Sequence, residues 1–218
     1  MMPLKLRLIA FSIFVPLMGC QAVPTGGQIV SEGVVALQKA PLCCEALAGA
    51  KKIPLPLTAT DILVDSSSQA REFDGNKAFF MLVELPVYEK PYSIILTSSA
   101  KGVINDSALF IPKVSVYDSE FVATRKYDEN SLRNRGNSLE RTVFINPQNR
   151  SERYMAIYGS NLSASIERPY SEVTYTTVMV GTMMFNMVGG RDDKSTLRSS
   201  PTGTLHIEVK GLEKPQAK

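Results

Sequence analysis

Ala78-Phe79-Phe80-Met81-Leu82-Val83-Glu84-Leu85-Pro86 decides the fold class. Phe79, Met81, Val83 and Leu85 share one face of a period-two pattern, and Phe80, Leu82 and Glu84 share the other. Such alternation describes a strand, and Pro86 ends it. Just upstream, Asp74-Gly75 separates this run from residues 69–73, a strong two-residue hairpin signal. Outward from the pair, residues 92–98, 113–118, 120–126, 139–145, 153–158 and 203–210 read as further short strands. Asn146-Pro147-Gln148-Asn149 punctuates two of them. Many short strands at this spacing with little helix predict a mainly β single domain, a β-sandwich of jelly-roll type. Residues 128–138 and 191–201 read as polar excursions between strands.

The N-terminal end carries a different signal. Lys5 and Arg7 precede the uncharged run Leu8–Gly19. That run is shorter than the roughly 20 residues a spanning helix needs, and it has the plan of a secretory signal. It ends in Leu17-Met18-Gly19-Cys20, which resembles the lipobox of bacterial lipoproteins, with Met18 bulkier than usual. The resemblance implies cleavage before Cys20 and acylation of its thiol. Acyl chains then anchor the protein, each buried methylene contributing about 0.8 kcal/mol. Gln21, where an Asp would signal inner-membrane retention, favours the outer membrane and a domain facing the periplasm. The expected organisation is a signal peptide at 1–19, a tether at 20–42, the β-domain at 43–212 and a tail at 213–218. Gln28 to Lys39 reads as a short weak helix within the tether, closed by Pro41.

Composition narrows the chemistry. Lys5 and Arg7 leave with the signal, so the formal net charge of +3 falls by two. No basic patch follows, and nucleic acid is not an expected partner. There is one His, three Cys and no Trp. The lone His206 falls on the polar side of a strand whose other side holds Leu205, Ile207 and Val209. A Ser-His-acid triad or a zinc site would have to be built around it without further sequence support. The chain is therefore expected to have no catalytic residues, no metal site and no cofactor. Tyr88, Tyr92, Tyr117, Tyr127, Tyr154, Tyr158, Tyr170 and Tyr175 show no clustering in sequence that would mark a sugar-stacking platform.

Two local features stand out. Cys43 and Cys44 are adjacent, about 3.8 Å apart at Cα, whereas ordinary disulfides span about 4.4–6.8 Å. A strained vicinal disulfide, two buried thiols and pairing with another chain are all compatible with an oxidising compartment. The second is the Met-rich segment 178–188, with Met179, Met183, Met184 and Met187. Its Val and Thr content suits a strand, while Met179, Met183 and Met187 would share a face of a helix. It is either core packing or an adaptable surface for a partner protein, since Met repacks readily.

Several blocks follow one another in a recognisable order. They are Pro41-Leu42-Cys43-Cys44, Ser68-Gln69-Ala70-Arg71-Glu72-Phe73, Gly75 to Pro86, Tyr92 to Ser99, Phe110-Ile111-Pro112-Lys113-Val114 to Asp118, Arg153 to Gly159 and Gly203 to Val209. Together they resemble the maltose-operon periplasmic protein (MalM-like) family over roughly residues 41–210. The resemblance implies an exported protein associated with carbohydrate transport, and it carries over no catalytic residue. Residues 166–190 depart from the family pattern, which is rich in Pro and Ala there, so sugar specificity does not follow. The expected function is a non-catalytic envelope lipoprotein acting through contacts with another envelope protein, as an accessory of an outer-membrane channel or assembly. The alternative is an oligosaccharide-binding accessory of a sugar uptake system.

Overall fold

A computed structural model describes residues 23–103, 105–160 and 165–212. The signal peptide, Cys20 and the tail at 213–218 lie outside the described residues. In chain order the elements are α1 (Gly26–Lys39), β1 (Lys52–Pro54), β2 (Thr60–Val64), β3 (Gln69–Phe73), β4 (Asn76–Glu84) and β5 (Tyr92–Ser99). Then follow β6 (Lys101–Val103), β7 (Asp106–Phe110), β8 (Pro112–Asp118), β9 (Ala123–Tyr127) and β10 (Arg133–Arg135). The chain continues through β11 (Ser138–Ile145), β12 (Glu152–Gly159), β13 (Ser165–Val180), β14 (Met183–Ser200) and β15 (Gly203–Lys210).

Two sheets form the sandwich. One runs β1-β4-β12-β8-β9 with β3 also paired to β4, and the other runs β10-β11-β5-β15-β2. Between them Phe79, Val83, Val114, Val116, Met155 and Ile157 meet Ile94, Leu96, Val143, Ile145, Leu205 and Ile207. This is a mainly β, sandwich-like domain, as the alternation in β4 requires. The other face of β4 is covered as well: Phe80 and Leu82 pack with Ala156, Tyr158, Leu47 and Ala50 in a second cluster. Asp74-Gly75 makes the hairpin turn, with φ of 51° and 77° and Phe73 paired to Asn76. Positive φ at both central positions is the geometry whose twist suits a two-residue hairpin.

The segment read as a tether is shorter than expected. A capping box between Thr25 and Gln28 starts α1, satisfying two orphan amides. At the other end the Lys77 ammonium donates to the carbonyls of Ala40 at 2.5 Å and Gln38 at 3.2 Å, where a cation suits the helix dipole. The helix is docked rather than free: Leu37 is buried in the main core. A side chain at Gly26 would meet the Ser107 backbone at 2.6 Å, and one at Gly33 would meet Pro201 at 2.9 Å. Residues 26–39 of the expected tether therefore belong to the packed domain.

The polar excursion at 191–201 is not a loop. It lies almost wholly within β14, which pairs from Met183 to Arg198 with β13 as a long antiparallel ribbon. The lower end of β14 is stitched in parallel to β7, Thr196 to Asp106 through Ser200 to Phe110. That pairing fastens the ribbon to the domain in a third sheet, β13-β14-β7-β6.

Candidate functional site

The ribbon is an arm. Thr196 pairs with Asp106, the first residue of β7, so the strand residues before Thr196 run past the end of the domain. Gly181-Thr182 turns the arm at its tip, Gly181 with φ 61°, fitting a two-residue hairpin that needs glycine at its first position. From Val173 to Gly190 no residue is charged, while Glu167, Arg168, Glu172, Arg191, Asp192, Asp193 and Lys194 crowd the stem. Met179, Met183, Met184 and Met187 are 61–70 % exposed, so core packing does not explain them. Phe185, Val188 and Tyr175 are exposed beside them.

Cross-strand partners share a face of a ribbon. Tyr175 with Val188 and Met179 with Met184 lie on one face; Thr176 with Met187 and Val178 with Phe185 lie on the other. Both faces of the upper arm are therefore apolar, interrupted by a Thr177–Asn186 hydrogen bond of 2.9 Å. A two-stranded ribbon has no interior, so this surface serves no core.

A second candidate lies on the outer side of the first sheet. Cys43 and Cys44 are joined to each other in a disulfide. The Cys43 amide donates to the Ala70 carbonyl at 2.7 Å, and Arg71 donates to the Cys44 and Glu45 carbonyls. Beside them opens a cleft of about 570 Å³, lined among others by Phe73, Asp74, Tyr117, Phe121, Lys126 and Tyr158. Tyr117 and Tyr154 are direct cross-strand partners. Phe121 stacks on Tyr154 with centroids 4.3 Å apart, and Phe73 stacks on Tyr158 at 4.1 Å.

Phe121 holds φ of 63°, a conformation uncommon for a bulky residue. The Asp118 carboxylate fixes this turn by accepting from the Glu120 and Val122 amides at 2.9 Å. Asp74 accepts from Lys126 at 2.7 Å; that hydrogen bond holds its carboxyl below the ordinary range, against partial burial. Burial pushes the Tyr158 hydroxyl up. No aromatic clustering is expected from the sequence, and the fold corrects this: β3, β8, β12 and the turn at Phe121 bring three tyrosines and two phenylalanines together. The paired Asp74 and Lys126 thus set a carboxylate and an ammonium into a cleft wall otherwise rich in aromatic rings, the mix of apolar lining and few polar groups found in small-molecule sites.

His206 lies on the exposed side of β15, 2.6 Å from Asp61, with Leu205 and Ile207 buried on the opposite side. Among the described residues no group of three or more His, Cys, Asp or Glu is placed to hold a metal ion. No helix among them is long and apolar enough to cross a membrane. No family model matches the chain, and no curated protein or solved structure proves significantly similar to it.

Proposed function

We propose that the protein is a non-catalytic, lipid-anchored envelope module that works through contacts made by its arm. In this reading Cys20 carries the acyl anchor in the outer membrane, and the domain faces the periplasm as an accessory of a channel or envelope assembly. The observation that carries the proposal is the uncharged ribbon from Val173 to Gly190, apolar on both faces and exposed. Monomeric proteins rarely present so large an apolar surface without use. Replacing residues 173–190 with a two-residue Asn-Gly turn leaves the sandwich core untouched. Formaldehyde cross-linking of intact cells, followed by purification, then compares the trimmed and full chains. The reading expects specific envelope proteins with the full chain and their loss on trimming; identical recovery from both overturns it.

The aromatic cleft favours a second reading, that of an oligosaccharide-binding accessory in sugar uptake. The resemblance to the MalM-like family points the same way. Calorimetric titration with maltose-series and other oligosaccharides tests it. Saturable binding that Phe121→Ala abolishes would support it, and silence across the series would count against it.

A further inference from the structure

We propose that the arm enters the lipid bilayer to which Cys20 is anchored, its surroundings there being acyl chains rather than a protein groove. This goes beyond the contact reading above, replaces its protein partner at the arm with lipid, and rests on it only for the anchor. Three observations carry it.

The first is that both faces of the upper arm are apolar. A flat or shallow partner surface covers one face of a ribbon and leaves the other in water, whereas a bilayer surrounds both. The second is the distribution of charge. The uncharged limb from Met183 to Gly190 spans about 25 Å at roughly 3.3 Å per residue, close to the apolar band of about 25 Å on outer-membrane strands. Tyr175, 76 % exposed, lies near the boundary with the charged stem, where aromatic rings settle at membrane interfaces.

The third is where the chain begins. Val23 and Pro24 lie beside Lys101 and Gly102, and Gly26 rests on Ser107, next to the root of the arm at Asp106. The first described residues thus lie at the same end of the domain as the root of the arm. From Cys20 to Gly26 the chain reaches at most about 20 Å, at roughly 3.3 Å per residue. The charged stem from Thr196 to Arg191 rises about 17 Å on the same scale. An arm directed at the membrane therefore meets it where its charges stop. A lone ribbon would carry unpaired edge amides and carbonyls into hydrocarbon, which only closed strand pairing avoids. Inserted arms accordingly pair edge to edge with those of further copies.

The chain has no Trp, so Met184→Trp introduces a unique fluorophore at an exposed position, and Val87→Trp gives a control on the domain. Each acylated full-length variant is placed in phosphatidylethanolamine–phosphatidylglycerol vesicles, with or without brominated acyl chains. The expected result is a blue shift and several-fold quenching at position 184, little change at 87, and chemical cross-linking of copies in the vesicles. Water-like emission from acylated Met184→Trp overturns the inference. So does a blue shift without lipid that grows with protein concentration, which would place the arm on a second copy. A shift that appears only on adding a protein captured through the arm leaves the contact reading standing and removes the bilayer. Equal quenching at both positions would mean that the domain lies on the surface, and also overturns it. A wild-type chain carrying no palmitate label refutes the anchor reading separately, and adding the unacylated Met184→Trp chain to vesicles then tests insertion by itself.

Discussion

Asp106 ties the start of α1 to the root of the arm through Arg198. One carboxylate oxygen accepts from the Arg198 guanidinium at 2.7 Å and the other from the Gly27 amide at 3.2 Å. The hydrogen bond from Arg198 holds the Asp106 carboxyl below its ordinary value, with Gly27 assisting and partial burial opposing. A depressed carboxylate contributes stability above its unfolded pKa, near 3.9, and loses it as pH falls through the folded value. The Gly27 amide resonance should therefore shift on acidification below about pH 4, and Asp106→Asn should flatten that titration. An unchanged titration in the variant would show that the carboxylate does not hold the helix.

Helix docking depends on Gly26 more than on Gly27. A methyl at Gly26 would sit 2.6 Å from the Ser107 backbone, which has little room to yield, whereas at Gly27 the nearest atom is an Asp106 side-chain oxygen at 3.6 Å. Gly26→Ala should cost about 1–3 kcal/mol in a denaturant melt, and Gly27→Ala should cost far less. Equal effects would mean that α1 is not seated as described.

Substitutions on the arm and in the core should separate cleanly. Met183 is 64 % exposed and Met155 is fully buried. Met155→Ala should lose about 2–5 kcal/mol. Met183→Asp should melt like wild type while losing whatever the arm contacts. A large stability loss for Met183→Asp would place that side chain in a packed environment.

His206→Ala should change stability by no more than about 1 kcal/mol, the scale of an exposed ion pair, and should leave activity in the cell intact. Complete loss of function in a stable variant would revive a catalytic role for the His206–Asp61 pair.

The sandwich was legible because β4, β5, β11, β12 and β15 each bury one face or both, and burial writes itself into sequence as alternation or as an apolar run. The arm was only partly legible. Its upper part has no core on either face, and residues 191–201, polar and without a period-two pattern, read as an excursion between strands. The Met-rich segment was visible as an anomaly, but whether it lay in a core depended on what faced it. The aromatic cleft was not legible at all: Phe73, the Tyr117–Phe121 turn and Tyr158 are far apart in sequence, and only the pairing of β3, β4, β12 and β8 and the turn held by Asp118 join them. The docking of α1 escaped for a similar reason, since a glycine's value at Gly26 or Gly33 lies in a neighbour that the sequence does not name.

The anchor has its own check. Cys20→Ser should abolish incorporation of a palmitate analogue and the membrane association that depends on it. A wild-type chain without label would refute the lipoprotein reading.

The central claim is that the protein acts through its arm, and site-specific photo-cross-linking in intact cells tests it most directly. A photoreactive residue at Phe185 samples the upper arm, and one at Val87, also exposed, samples the domain. The account predicts abundant, specific adducts with envelope components from position 185 and few from position 87. Adducts from position 87 alone, or none from position 185 under conditions where the protein functions, would contradict it.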